Sequence, residues 1–474
     1  RLSFANARAA ERELGDLEAT LAFAVAQARS TARLALMRNQ QQLLEAEAEL
    51  GSDLRGVIDG RRLDRVPLRA DLRLPRLRLA QLAALDPQLE KIAGTLDATV
   101  AVRGQPAAPR VQSRISLTGA RFEQTPVGDL TVDARYDDKG ARGRLALLQL
   151  KAGGRLDAEY NLALTGKRTI NARITGRDLD LGFVHRLTPA LKASAGKLSV
   201  DLRASGQLQR PQIRGELRLE RGLLRPRAFS PLEQIDLQLR LSPRQVELTR
   251  LALRLGRGTL DARGAVDLSP DLQPSRFRLR ARAEKIVIDA AAAKRLRFSG
   301  RVRVEGRQAD NKLSARVEVS DGEMLVPQFE AQRELQSVEP LKDVIFVDQE
   351  ARAARERAER VKAQALALDV RAHADPFFVR GDEVDLELRT SLRAATDEQG
   401  RLRLYGDLTI RRGRLKLLGN PFEVREAKIR FSGQPAPDPA VHVLLAREVG
   451  GATILVGISG TLGAPELELR SDPL

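Results

Sequence analysis

From residue 368 onward the chain alternates apolar and polar side chains with a period of two. Val384, Leu386 and Leu388 are separated by Asp385 and Glu387, and Leu402 and Leu404 by Arg403. The beat continues through Leu408 and Ile410, Leu415 and Leu417, then Val441, Val443 and Leu445, then Ile454, Val456 and Ile458, and last Leu467 and Leu469. A period of two places alternate side chains on opposite faces of a strand, and glycine or proline at Gly381, Gly400, Gly433, Pro439, Gly450 and Pro465 punctuates the runs. The pattern predicts a meander of strands with one apolar and one charged face. The fifteen apolar positions from Val384 to Ile458 named here are the candidate lining of whatever the apolar face encloses. The same separation recurs upstream, where Arg276, Arg278, Arg280 and Arg282 alternate with Phe277, Leu279 and Ala281.

An internal repeat supports one architecture throughout. Leu85-Asp86-Pro87, Gly94, Leu96, Gly104-Gln105 and Pro109 recur as Leu187-Thr188-Pro189, Gly196, Leu198, Gly206-Gln207 and Pro211, each 102 positions later (for example 196 − 94). A shorter third copy begins at Gly300, and the Gly-x-x-x-x-Pro spacing returns at Gly460 and Pro465. The mixed leucine spacing ahead of Gly94 (Leu77, Leu79, Leu82, Leu85, Leu89) and ahead of Gly196 predicts a short helix in each copy.

Residues 1–66 fit either helix or strand: Leu17, Ala19, Leu21, Phe23 and Val25 alternate, while Leu14, Leu17 and Leu21 share a helical face. Strands are preferred because strands follow. The alternation stops in an Ala/Arg/Glu-rich stretch around 348–362, read as a solvated helical or disordered insertion. The expected organisation is an N-terminal segment 1–75, repeats 76–177 and 178–299, a shorter repeat 300–337, the insertion 338–366, and a C-terminal β domain 367–474. The fold class is therefore all-β: a long, twisted, mainly antiparallel sheet curled into an open U-shaped hydrophobic groove, with short helices between repeats.

Composition narrows the chemistry. Lysine and arginine number 80 against 63 acids, a formal charge of +17. With three Tyr, thirteen Phe and no Trp, stacking platforms for nucleic acid are poorly supplied, so no nucleic-acid partner is expected. The arginine rows read either as phosphate contacts or as a solvated outer face that discourages edge pairing. The absence of cysteine rules out disulfides and thiolate metal sites, and no apolar run is long enough to span a bilayer as a helix. The three histidines, His185, His373 and His442, are scattered and match no metal or catalytic motif. Gly256-x-Gly258 lacks the third glycine of a dinucleotide loop, and Asp178, Asp180 and Gly182 lack the distal acid of a calcium loop. No catalytic residue, metal or cofactor is expected, and the chain reads as a non-enzyme.

Gly406-Asp407-Leu408, Arg412-Gly413-Arg414-Leu415, Phe431-Ser432-Gly433, Asp438-Pro439, Gly460-Thr461-Leu462, Pro465 and Ser471-Asp472-Pro473 together resemble, in order and spacing, the C-terminal domain of the TamB family. These are AsmA-like repeating β-groove proteins of Gram-negative envelopes. The resemblance implies a periplasmic protein anchored in the inner membrane by a segment before Arg1, reaching the outer membrane, with a short tail after Leu474. It implies phospholipids as cargo and a TamA-like outer-membrane barrel as partner. Two functions follow: a lipid conduit between the membranes, or an assembly factor that helps insert autotransporter-type barrels. A surface β-solenoid adhesin is a third reading. A dry sandwich or closed barrel, with the apolar faces packed on each other, is the alternative to the groove. The scarcity of bulky side chains on the apolar face and the uninterrupted meander favour the groove.

Overall fold

The computed structural model describes residues 2–9, 12–26, 29–51, 66–79, 91–123, 125–149, 152–186, 188, 190–227, 230–290, 293–309, 311–326, 367–397, 400–417, 419–434 and 438–473. The expected insertion at 338–366 lies outside these residues. Two compact units divide the chain: Arg1–Val246 with the turn Pro270–Leu272, and Glu247–Ser269 with Gln273–Leu474.

The first unit holds fourteen strands: β1 (Leu2–Ala9), β2 (Arg12–Ala26), β3 (Arg29–Arg38), β4 (Gln41–Leu50), β5 (Leu68–Arg78), β6 (Ile92–Gln105), β7 (Ala108–Phe122), β8 (Thr125–Asp137), β9 (Gly140–Gln149), β10 (Gly154–Ala163), β11 (Thr169–Asp180), β12 (Leu191–Gln207), β13 (Arg210–Pro226) and β14 (Leu232–Ser242). Each pairs antiparallel with the next, so the ambiguous N-terminal stretch resolves into strands wherever it is described.

The second unit holds most of β15 (Gln245–Leu255), then β16 (Gly258–Leu268), β17 (Pro274–Ala290), β18 (Ala293–Ala309), β19 (Lys312–Leu325), β20 (Ala367–Arg380), β21 (Val384–Thr396), β22 (Leu402–Leu417), β23 (Asn420–Ser432), β24 (Ala440–Val449), β25 (Ala452–Gly460) and β26 (Pro465–Pro473). From β16 onward neighbours pair antiparallel, except that β19 and β20 run parallel. Such a pair needs a long crossover rather than a tight turn. Both units are single sheets of meandering strands, in keeping with a β-groove.

The internal repeat has a structural meaning. In β5, three residue steps from Leu74 to Leu77 face two steps on β6, and the extra residue is accommodated at Arg76, whose φ is +46°. The same bulge occurs 102 positions later (178 − 76) at Asp178 in β11, with φ +49°. Gly119 in β7 and Arg221 in β13 form a second pair 102 apart (221 − 119). Lys285 in β17 and Asp321 in β19 carry bulges of the same type. A bulge leaves a backbone N–H without its ladder acceptor, which would cost about 1–3 kcal/mol if left buried and unmade. Here a short polar side chain on the next strand accepts it: Arg76 N–H donates to Asp97 (3.1 Å), Gly119 N–H to Asp129 (2.7 Å), Arg221 N–H to Asp236 (3.3 Å) and Lys285 N–H to Ser299 (3.0 Å).

The Gly-x-x-x-x-Pro spacing marks hairpins. Gly104 faces Pro109, Gly206 faces Pro211 and Gly460 faces Pro465, each pair within one residue of the end of the ladder at its turn. The glycines sit at φ +108°, +99° and +93°, a region closed to most L-residues.

Among the described residues the helices expected between repeats are not seen. Leu77 and Leu179 lie one residue from the ends of strands β5 and β11, and the described residues between β11 and β12 hold a single 3₁₀ turn, Val184–Arg186. In the first copy only Leu77 and Leu79 of the leucines that predict the helix are described, Leu77 within β5 and Leu79 just beyond it. Residues 80–90, where the first of these helices was expected to continue, lie outside those described.

Candidate functional site

The candidate site is the apolar face. In the first unit one cross-strand row runs Leu74, Ala98, Ile115, Val132, Leu145, Ala158, Ile174, Leu202, Gly215 and Leu241, each directly opposite the next on successive strands. No charged side chain interrupts it. Ile174, in the interior of the row, keeps 37% of its surface exposed, so no second layer of the chain covers it there.

In the second unit, Gly264, Leu279, Val304, Val317, Ala372, Leu392, Gly406 and Phe431 form a comparable row. Several of the few aromatic rings lie over glycines on the facing strand. A Cβ on Gly143 would strike the Tyr160 ring, and one on Gly306 the Phe277 ring. Phe377 lies over Gly322 in the same way. The ring covers bare backbone instead of projecting from the face.

All fifteen candidate positions share this face. Val384 faces Leu415, Leu386 faces Gly413 and Leu388 faces Ile410. Leu404 faces Ala394, and Leu408 faces Ile429, which in turn faces Val441. Ile410 leads through Ala427 to Val443 and Ile458. A bulge at Arg411–Arg412 shifts β22 from even to odd apolar positions, which is why Ile410 is followed by Leu415 and Leu417 rather than by residues 412 and 414.

Their environments differ. Leu445 is completely buried, and with Val424, Ala427 and Val456 it forms a packed cluster flanked by Leu386, Ile410, Leu415, Leu417, Val443 and Ile458. Leu402, by contrast, lies at the start of its strand with 59% exposed. Ile454 faces Arg447, whose guanidinium lies 6.0 Å over the Phe422 ring and closes the apolar face at that rim. The upstream rows were not among the candidates, although the same two-residue alternation marks them in the sequence.

The opposite face is held by cross-strand ion pairs. Arg103 donates to both carboxylate oxygens of Asp71 at 2.6 and 2.9 Å, and Arg393 likewise grips Asp369 at 2.8 and 3.0 Å. Asp407 takes hydrogen bonds from Arg430 and Lys428, both at 3.0 Å, and these two partners hold its carboxyl below the ordinary carboxylate value. Arg393 does the same for Asp369. Stability from such groups is complete above the ordinary value of 3.8 and is lost as pH falls through the lowered native one. We expect the melting temperature to hold steady down to about pH 5 and then to drop. The drop should be shallower in an Asp369→Asn/Asp407→Asn variant. A calorimetric pH series measures this, and identical slopes would show that these pairs contribute nothing.

The polar residues weighed as ligands have structural employment. Ser194 accepts from the His185 N–H at 2.9 Å and donates to the Leu181 carbonyl at 2.8 Å. Asp180 closes a turn by accepting from Gly182 N–H at 2.8 Å, while its own backbone pairs with the buried amide of Gln149. Gly256 sits in a turn with φ +62°. Among the described residues no three groups cluster to hold a metal, and no helix is long and apolar enough to cross a membrane.

Comparison with known proteins agrees with this geometry. Residues 249–474 match the model of the TamB C-terminal domain, and residues 68–219 match that of the TamB N-terminal domain. The Translocation and assembly module subunit TamB of Haemophilus influenzae is 21% identical over 336 residues, 68% of this chain and 25% of the relative. The chain thus spans about a quarter of that relative's length. Two matched family regions, the sheet architecture and the continuous apolar face together place this chain in the TamB family.

Proposed function

We propose that this chain is part of a periplasmic lipid conduit, its apolar face carrying phospholipid acyl chains between the inner and outer membranes of a Gram-negative envelope. The observation that carries this reading is the uninterrupted row from Leu74 to Leu241, with Ile174 more than a third exposed at its interior. An acyl chain of about 16 methylenes gains about 13 kcal/mol on leaving water, at about 0.8 per methylene. A row of near-equivalent aliphatic positions offers that gain at every step, so the chain slides without a deep barrier. No bond is made or broken, and the reading requires no catalytic group.

The test uses the full chain and a phospholipid with a photoreactive acyl tail. Wild type is expected to label along the apolar face. An Ile174→Asp/Leu404→Asp variant, altered at one exposed and one partly exposed position, should still fold but label several-fold less. Undiminished labelling in a folded variant would end the conduit reading.

A second reading is an assembly factor that docks on a TamA-like outer-membrane barrel. It draws on β26, which pairs with β25 along one side while Leu467 and Leu469 stand 71% and 75% exposed. Such a strand can extend a partner's sheet. Purification from the envelope separates the two readings: lipid by mass spectrometry supports the conduit, a barrel protein without lipid the assembly role.

A further inference from the structure

The charged face of the second unit carries a feature that the conduit reading does not use. A hollow of about 990 Å³ lies across β15–β20. It opens on the charged face: His373 and Asp375 line it, whereas Ala374 between them is buried on the other side. Arg250, Arg263, Arg280, Arg282, Arg301 and Arg303 surround it, against three carboxylates, Asp261, Glu318 and Asp375.

The arginines are stacked in register. Arg263 faces Arg280, which faces Arg303, and Arg282 faces Arg301. Like charges directly opposite on neighbouring strands repel. Part of the charge is answered within the chain: Arg303 reaches Glu318 at 3.6 Å, Arg282 reaches Glu284 at 2.9 Å, and Arg301 pairs with Asp321. Asp375 is already taken by Arg389 and Arg411, at 2.7 and 2.9 Å. Arg250, Arg263 and Arg280 meet no carboxylate among the described residues.

We infer that this hollow binds a ligand carrying more than one phosphoryl group. Its volume is that of a small-molecule site. Guanidinium forks pair bidentately with phosphate, and a phosphomonoester concentrates up to about two charges and three acceptor oxygens in one group. Side chains here repeat about every 4.8 Å across strands and about 6.7 Å along them. Such dense positive charge is met better by phosphoryl groups than by an acidic peptide, whose carboxylates carry one charge each at wider spacing. The same chemistry is offered by a soluble phosphate ester and by a lipid headgroup.

The test titrates the full chain with sodium pyrophosphate at constant ionic strength in a calorimeter. Wild type and the control Arg214→Gln/Arg218→Gln, which removes the same charge from β13, are expected to bind alike. Arg263→Gln/Arg280→Gln should bind at least about tenfold more weakly, the loss of one charged hydrogen bond or more. It should also melt at a higher temperature at low salt, since like charges have been removed, so loss of binding cannot be put down to misfolding. Vesicles of cardiolipin, whose headgroup carries two phosphates, and of phosphatidylcholine distinguish the source. Arginine-dependent capture by the first alone, reversed by pyrophosphate, identifies a lipid headgroup; pyrophosphate binding without vesicle capture identifies a soluble ester. Both support the site. It is overturned if pyrophosphate does not bind, if the Arg263/Arg280 variant binds as tightly as wild type, or if hexaglutamate binds as tightly as pyrophosphate.

Discussion

Leu445→Asp is expected to unravel β23–β25 while leaving the first unit intact. Leu445 has no exposed surface and sits where β23, β24 and β25 converge, against Val424, Ala427 and Val456. Truncation to alanine at such a position costs about 2–5 kcal/mol through lost contacts and the cavity left behind. Aspartate adds a charge with no partner, buried among aliphatic side chains, and three strands cannot absorb that penalty. Hydrogen exchange resolves the effect by strand. Amides of β23–β25 should lose protection by orders of magnitude while those of β6–β12 keep theirs. Retained protection in the three strands would mean that the cluster is not closed.

The second large effect is expected at Gly215→Val. Gly215 lies in β13 opposite Leu202, at φ +145°, and a Cβ there would collide with the Asp201 carbonyl oxygen. The conformation alone costs a residue with a side chain about 1–3 kcal/mol, and the collision forces β12 and β13 apart on top of that. We expect a total above about 4 kcal/mol, in the range that marks a broken structural requirement. The melting temperature of the first unit reports it. A loss under about 1 kcal/mol would show that the backbone at Gly215 can move aside.

The strands and the shared face were legible because the alternation is local. Val384, Leu386 and Leu388 need no distant partner to declare which side they take. Legibility failed where one residue was added to a strand. Arg76 and Asp178 displace the beat of β5 and β11 by one. A pattern rule cannot separate an inserted residue from a change of period without knowing what the neighbouring strand supplies, here Asp97 as acceptor for the Arg76 N–H. The parallel pairing of β19 with β20 was not readable either, since a sheet with two apolar-lined neighbours looks the same in sequence whichever way the strands run. Nor did alternation separate Leu445 from Leu402. Both are aliphatic and in phase, but one lies amid three strands and the other at a rim. The repeat was read from glycine and proline, which the hairpins at Gly104, Gly206 and Gly460 demand, and those residues carried structural information that the leucines did not.

Within the first unit each strand from β1 to β13 bonds to the strand that follows it in the chain. The strand ladder is built from neighbours in sequence, so the loop-closure entropy that slows most β proteins is small at each step. A chain delivered one end first can therefore order itself as it emerges, each new hairpin templated by the last. Removing or duplicating a pair of hairpins alters length without rerouting anything, which gives evolution a ruler it can cut to any span.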